Sequence, residues 1–573
     1  MVKDSLYHQL LSQNHSPLVA RILAARLPDN EPLDPLITPQ LSYLTPPALL
    51  KDMDKAVNRL VQALIQGESI GLETDHDCDG QTAHAVLYTA LRSDFHHPEN
   101  KILSFIGHRL EEGYGLSPAL ATRILEKRPT LVITADNGSS DEAQIALLKA
   151  EGIDVIVTDH HEIPSSGIPP SAHAVINPSR PDCPYPDKAI AGCMVAWLFM
   201  TMVRQKLISL GRLPPTAPSL APLLDFVAVG TVADCVSLAS SANNRAVVRY
   251  GMRLIAQQIR PCWRAVQPFL SDPFSSEDLG FVIGPLLNSD GRLSDALTSV
   301  SFLLAKTDEE SEAWVVFLRS QNERRKKIQQ TLTQQATLEA RVWVEKGYHS
   351  ICILLEDGHS GVHGISASRL KDIFGRPTVL FSPKQNHPTW ITGSARSIDG
   401  FHIRQAFEKA AKHITGVIGF GGHKGAAGIT LERDALPAFR DAFEAVAAEQ
   451  LSDWALGPVT WTDGELPFEY HTLSDMTALH AQLEPFGRAF EPPTFEMTGV
   501  VQRLQPVGDG THGRLTLQGA FLITAIWFNL REKSTDPLPV TPGQPVHVAY
   551  RVKSRTFQGI KRLEYQVVAL MGG

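Results

Sequence analysis

Three acids, Asp75, Asp77 and Asp79, alternate through GLETDHDCDG, directly after a short apolar run. Carboxylates held so close repel one another, and a divalent cation supplies the counter-charge that keeps them together. Two more apolar runs end in residues of the same kind. LVITA precedes Asp136, and VIVT precedes Asp159, His160 and His161. A further acid, Asp234, follows the apolar stretch LLDFVAVGTVA. Oxygen donors mixed with imidazole suit Mn2+ or Mg2+, with the histidines tilting the preference towards Mn2+. Two such ions about 3.5 to 4 Å apart activate a water and stabilise both oxygens of an in-line attack on phosphorus. Phosphoester hydrolysis is the chemistry this set serves.

Each signal has an ordinary explanation when it stands alone. An aspartate after a strand commonly caps a helix or forms a turn, which would account for Asp136 by itself. DxDxDG also opens calcium loops, but QTAHAV follows Gly80 and holds no acid where such a loop needs one. Adjacent residues point to opposite faces of a strand, so His160 and His161 serve one site only beyond a strand end. Recurrence at successive element ends outweighs these explanations.

The elements that position these residues are legible as alternating patterns. From 69 to 160, SIGLET, KILSFI, TLVITA and DVIVTD alternate with helical stretches, the mark of βαβ units in an open, doubly wound parallel sheet. In such a sheet the functional crevice lies outside the carboxyl ends of the strands, so the ligands converge on one rim. The spacing predicts a multidomain α/β chain. A helical lead-in covers 1–45, and a parallel-sheet catalytic domain with a helical section covers 46–305. A connecting helix follows over 306–347, free of proline and of internal glycine. A second α/β domain covers 348–455, and short strands over 456–573 form a small β-barrel.

Two further regions bear on substrate. In the second α/β domain, GHSGVHGISASRL, GSARS and GGHKGAAG alternate small residues with Arg and His. Glycines admit a phosphate to backbone N–H groups, and Arg369 and Arg396 offer guanidinium forks that match it. In the β-rich tail, Arg551, Lys553, Arg555, Lys561 and Arg562 interleave with Phe557 and Tyr565, either as a track for a single strand or as an ordinary basic edge. The ERRKK block of the connecting helix reads either as a solvated face, the usual case, or as the lining of a phosphate groove.

Composition is that of a multidomain globular protein: 573 residues, 43% hydrophobic and 20% charged. The net charge of -8 requires any nucleic acid to be held by a local basic groove. Six dispersed cysteines without a CxxC pair argue against a zinc ribbon or a disulfide framework. No signal peptide and no membrane-spanning run is evident, so a cytoplasmic protein is expected.

With these residues assembled, the chain resembles the DHH phosphoesterases, and within them the single-stranded-DNA exonucleases. The likeness rests on DHDCDG, EEGYGLS, TADNGSS, TDHHE, AGCMVAW, VGTVADCVSL, NNR, IGPLLNSDGRL, HSGVHGISASR, GSARS, GGHKGAAG and PFGRAFEPPTF, all in the family's order. It implies a DHH catalytic domain, a connecting helix, a DHH-associated domain and an oligonucleotide-binding (OB-fold) barrel. It implies two Mn2+ or Mg2+ ions on Asp75, Asp77, Asp79, Asp136, His160, His161 and Asp234, with Asp136, His160 and His161 catalytic. Substrate contacts are implied for Asn288, Arg292, His359, Arg369, Ser394, Arg396, Gly422 and His423. The implied reaction is 5′ to 3′ removal of 5′-mononucleotides from single-stranded DNA during recombination and repair. A monomer is expected, with a single-strand-binding protein and a helicase as partners.

The chain also departs from the family pattern. Leu286 stands where an arginine is usual, and Ser289 and Asp290 replace two small residues. His76 and Cys78 stand where an aromatic and a small residue are commoner, and His76 reads as a tolerated substitution or as one that tunes the site. Two rival readings stay open. One is a phosphodiesterase of the same superfamily acting on short oligonucleotides or cyclic dinucleotides, which has no need of the β-rich tail. The other is a non-catalytic DNA-binding scaffold.

Overall fold

The apolar runs of the first α/β region become strands β1 (Ile70–Thr74), β2 (Ile102–Ile106), β3 (Leu131–Ala135) and β4 (Asp154–Thr158), and a short fifth strand, β5 (Ala174–Ile176), joins them. All pair in parallel, in the order β2-β1-β3-β4-β5. Strands covered on both faces carry continuous apolar runs, and β1 and β3 are buried along their whole length. One face packs Phe105, Leu120, Ile124, Val132, Ile145 and Leu148 into a core. On the helix Cys78–Thr89, the buried His84 reaches Thr74 Oγ1 at 3.2 Å and Ser104 Oγ at 2.8 Å, bracing β1 and β2.

Strand order reverses between β1 and β3, the point at which such sheets open a crevice. The register sets Thr74 level with Ala135, Ala135 with Thr158, and Thr158 with Ile176. Pairing continues one residue further. The N–H groups of Asp75, Asp136 and Asp159 donate to the carbonyls of Ala135, Thr158 and Ile176 at 3.2, 2.9 and 3.0 Å. These three acids therefore leave the sheet in one row.

This computed structural model describes residues 3–28, 32–108, 112, 114–291, 297–384, 387–412, 414–452, 456–531 and 533–572. The chain folds into two units that do not follow chain order. One comprises residues 58–181 and 285–459, and the other residues 1–57, 182–284 and 460–573.

The first unit also holds the expected long helix, Asp308–Glu345, whose 38 residues span about 57 Å at 1.5 Å per residue. Thr307 caps it and three acids occupy its first turn, where the helix dipole favours negative charge. Within ERRKK, Arg325 is buried and bonds Asn322 and Gln329, while Lys326 pairs with Glu323. The helix is followed by β6 (Ile351–Leu354), β7 (Thr378–Lys384), β8 (His387–Arg396), β9 (Val417–Gly422) and β10 (Ala426–Glu432), in a mixed sheet of order β6-β7-β8-β10-β9. Phe381, Phe401, Phe407, Phe439 and Phe443 fill one face of this sheet, and Leu332, Val362, Leu370 and Leu380 fill the other.

The second unit contains a closed barrel of β11 (Phe495–Val507), β12 (His512–Gln518), β13 (Leu522–Trp527), β14 (Pro545–Phe557) and β15 (Ile560–Gly572), in the order β11-β12-β13-β15-β14. Arg245 ties three segments of this unit together. Its guanidinium donates to the carbonyls of Leu36, Leu483 and Pro485 at 2.6, 2.9 and 3.2 Å and lies 4.3 Å from the Phe490 ring centre. Among the described residues, no helix is long and apolar enough to cross a membrane.

Replacing Arg245 with methionine leaves those carbonyls without their donor, so urea unfolding is expected to show a loss of about 3 kcal/mol. His84 makes stability depend on pH. Burial pushes it down to about 4 from an ordinary 6.5, so the unfolded chain binds the proton more readily. Its contribution is complete above pH 6.5 and is lost as pH falls towards 4. At pH 5 the loss is about 2 kcal/mol, and thermal melts of His84→Gln at pH 7 and pH 5 should show a correspondingly weaker acid destabilisation.

Candidate metal centre

The acid loop after β1 is built by its own residues. Asp77 caps the helix Cys78–Thr89, its Oδ1 accepting the N–H groups of Asp79 and Gly80 at 2.9 and 3.2 Å. Gly80 lets the turn close, because a Cβ there would lie 2.3 Å from the carbonyl oxygen of Asp75. Asn288 Oδ1 accepts the N–H of Cys78 at 2.8 Å, so this expected substrate contact braces the loop. The outcome is that carboxylate oxygens of Asp75, Asp77 and Asp136 lie within 4.8 Å of one another.

Asp136, in the left-handed region at φ 65°, forms a second such group with His160 and His161. His160 Nε2 lies 3.0 Å from Asp136 Oδ1 and 3.8 Å from Asp79 Oδ2. The His161 ring turns the other way, with Nδ1 at 2.8 Å from Asp159 Oδ1 and 42% of the side chain exposed. Asp159 also accepts the N–H groups of His160 at 2.7 Å and Ser139 at 3.1 Å. Burial opposes its charge, but the bonds and charge of His161 outweigh that and hold the carboxyl well below the usual range.

Whether these residues fit metal ions is answered by their electrostatics. Burial, then the charges of Asp75 and Asp79, push the Asp77 carboxyl above its ordinary value. The site is short of positive charge. Its donors are carboxylates and imidazoles without a thiolate, which fits hard divalent ions of the Mg2+ or Mn2+ class.

Some contributors were not foreseen. The Tyr114 hydroxyl donates to the Asp136 carbonyl at 3.1 Å and lies 3.3 Å from His161 Nε2. Glu73, on β1, is buried, and burial and Asp141 push its carboxyl well up, so it adds little repulsion to the site. Asn137 donates to it at 3.0 Å, linking β1 to the loop that carries Asp136. Tyr114 stands inside EEGYGLS, which gave a signal, whereas Glu73 reads as part of a strand. His76 stands beside the site, with Nδ1 at 2.9 Å from Asp75 Oδ1. Asp234 caps the end of the helix Leu224–Ala233 in the other unit.

The second sheet of the first unit carries the remaining expected contacts. Along β8, Ile391, Gly393 and Ala395 face the core, and Ser394 and Arg396 share the opposite face. The Arg396 guanidinium rests against Gly364, where a Cβ would lie 2.7 Å from Nη2. His359 caps the helix Ser360–Phe374, on which Arg369 is exposed. His423 Nδ1 accepts the Gly425 N–H at 3.2 Å. Burial lowers the basicity of His423 against the pull of Glu162, and Arg396 and His161 add to that lowering. Gly422 is required by the β9–β10 hairpin, since at φ 134° a Cβ would lie 2.4 Å from the Ala426 carbonyl oxygen. Gly419 and Gly421 are different, because a Cβ at either would meet nothing within 4 Å. Arg292 lies outside the described residues.

The basic hairpin of the barrel is largely engaged within its own unit. Arg551 bonds Thr494, Lys553 pairs with Glu277 at 2.7 Å, and Arg555 pairs with Glu564 at 2.9 Å. The Tyr565 hydroxyl and His471 Nδ1 are 2.9 Å apart. Lys561 and Arg562 are exposed.

Comparison with known proteins accounts for the whole length. Residues 69–231 match the DHH family, N-terminal domain, residues 348–449 the DHHA1 domain, and residues 462–569 the RecJ OB domain. The single-stranded-DNA-specific exonuclease RecJ of Haemophilus influenzae is 33% identical over 97% of this chain and 96% of its own length. That of Escherichia coli is 34% identical over 90% of this chain and 89% of its own. The crystal structure of RecJ in complex with Mn2+ from Thermus thermophilus superposes with a TM-score of 0.77 at 26% identity, covering 99% of this chain and 78% of that one. A structure of exonuclease RecJ bound to manganese gives 0.58 at 29% identity, covering 71% of this chain and 97% of that one. With this likeness spanning the acid loop, the histidine pair, the second sheet and the barrel, the chain belongs to the RecJ family of DHH proteins.

Proposed function

We propose that the protein is a single-stranded-DNA-specific exonuclease that releases 5′-mononucleotides in the 5′ to 3′ direction and works in DNA recombination and repair. The observation that carries this reading is the meeting of Asp75, Asp77, Asp136, His160 and His161 at one sheet edge, in a chain 33% identical to an exonuclease over 97% of its length. Asp75, Asp77, Asp79, Asp136, His160, His161 and Asp234 are the residues that hold Mn2+ or Mg2+. Two ions held there would supply polarisation of the phosphoryl oxygens and a more acidic attacking water.

The chain's own groups complete the chemistry. Asp159 fixes the His161 ring through Nδ1, 2.8 Å from its Oδ1. His160 or His161 also stabilises the charge developing on the phosphoryl oxygens. Arg369, Arg396, His359, Ser394, His423, Gly422, Asn288 and Arg292 grip the strand around the scissile phosphate. The closed barrel, a fold that binds single strands along its face, supports a long polymeric substrate over a cyclic dinucleotide. The expected setting is the cytoplasm, as a monomer, with a single-strand-binding protein and a helicase supplying the substrate.

Digestion of end-labelled single strands with Mn2+ tests the site. Asp136→Ala and His161→Ala are each expected to lower nucleotide release by about a hundredfold or more, and unchanged release would refute the assignment. Polarity is tested with blocked ends. A 3′-blocked strand should be degraded normally and a 5′-blocked strand should resist, with the opposite pattern refuting 5′ to 3′ travel.

A further inference from the structure

β5 is the shortest strand of the first sheet, yet its end reaches the backbone of both histidines. The Asp159 N–H donates to Ile176 O at 3.0 Å, which draws the DHH segment alongside β5. The next residue, Asn177, is completely buried. Its amide nitrogen donates to His161 O at 3.0 Å and to Ser139 Oγ at 2.9 Å, and its Oδ1 accepts the Ser179 N–H at 2.7 Å. Ser179 Oγ in turn donates to His160 O at 2.8 Å. Ser139 closes the circuit, because its own N–H donates to Asp159 Oδ2 at 3.1 Å.

We propose that Asn177 and Ser179 are positioning residues that set the two imidazoles by holding the carbonyls of His161 and His160. Beyond the strand end these peptide groups have left the regular ladder, and backbone rotation there swings each ring. Productive geometry tolerates about half an ångström of displacement, so carbonyls held by buried donors matter for the rate. The two residues divide the work. Ser179 holds the histidine whose Nε2 faces Asp136 and Asp79, among the metal-type donors. Asn177 holds the histidine whose ring is fixed by Asp159 and is partly exposed.

This inference rests on the exonuclease reading, and full-length protein separates the two. The variants are Asn177→Asp, which keeps the shape and the acceptor for Ser179 but sets an oxygen against the His161 carbonyl, and Ser179→Ala. Strand digestion gives kcat and KM, the electron paramagnetic resonance signal of free aquated Mn2+ gives metal binding without reference to activity, and thermal melting reports the fold. Asn177→Asp is expected to lower kcat about a hundredfold with the KM for the strand within about threefold of wild type. Ser179→Ala is expected to weaken Mn2+ binding about tenfold and to regain most of its kcat at saturating metal. A kcat within twofold of wild type for Asn177→Asp, or Mn2+ binding by Ser179→Ala equal to wild type, overturns the proposal. So does activity in both variants that falls only as the folded fraction falls. If wild-type protein itself releases no nucleotide, the exonuclease reading fails instead.

Discussion

Parallel register is the constraint on which the site depends. Hydrogen bonds between β1, β3, β4 and β5 place Thr74, Ala135, Thr158 and Ile176 at one level, so the chain delivers Asp75, Asp136, Asp159 and Asn177 side by side. Left to themselves, the carboxylates would separate. The sheet prevents this because slipping any one strand would unpair buried backbone groups. Repulsion that cannot be relieved by movement is relieved by charge, through cation binding, and burial pushes the neighbouring Glu73 carboxyl well up. The affinity for divalent ions is in this sense a consequence of strand pairing.

The acid loop adds a second, local constraint. Asp77 is both a helix cap and a metal-type donor, because one of its oxygens accepts two backbone N–H groups while its carboxylate stays among the other acids. Gly80 follows from the same turn, since any side chain there would strike the Asp75 carbonyl. The motif is therefore a folding signal and a chemical one together.

Much of this was legible in the sequence, and what was missed has physical causes. The strands β1 to β4 declared themselves because buried parallel strands are continuously apolar. β5 did not, since Ala174–Ile176 is only 3 residues long and is not followed directly by a helix. With it went Asn177, whose role depends on contacts distant in the chain. Gly422 was read as a phosphate contact, and spacing could not show that its positive φ also serves the hairpin. The basic row of the barrel showed its charges and hid their partners, as Glu277 lies far away in the sequence from Lys553. Spacing alone could not reveal the contact of His76 with the neighbouring acid.

Leu286, which stands where an arginine is usual in the family pattern, bears on two separate tasks, bracing the acid loop and supplying positive charge. Leu286 is buried and anchors the helix Gly284–Gly291, while Asn288 on the same helix braces the Cys78 N–H. Bracing is a matter of position, and it survives the loss of an arginine. Gripping phosphate is a matter of positive charge, and with leucine here that charge must come from elsewhere. Arg396 is suited to it, because its guanidinium lies against Gly364, on the same face of β8 as Ser394. A side chain at position 364 would displace that guanidinium. The chain thus keeps the geometry of its acid loop through Asn288, and under the proposed reading Arg396 is the guanidinium available to a phosphate.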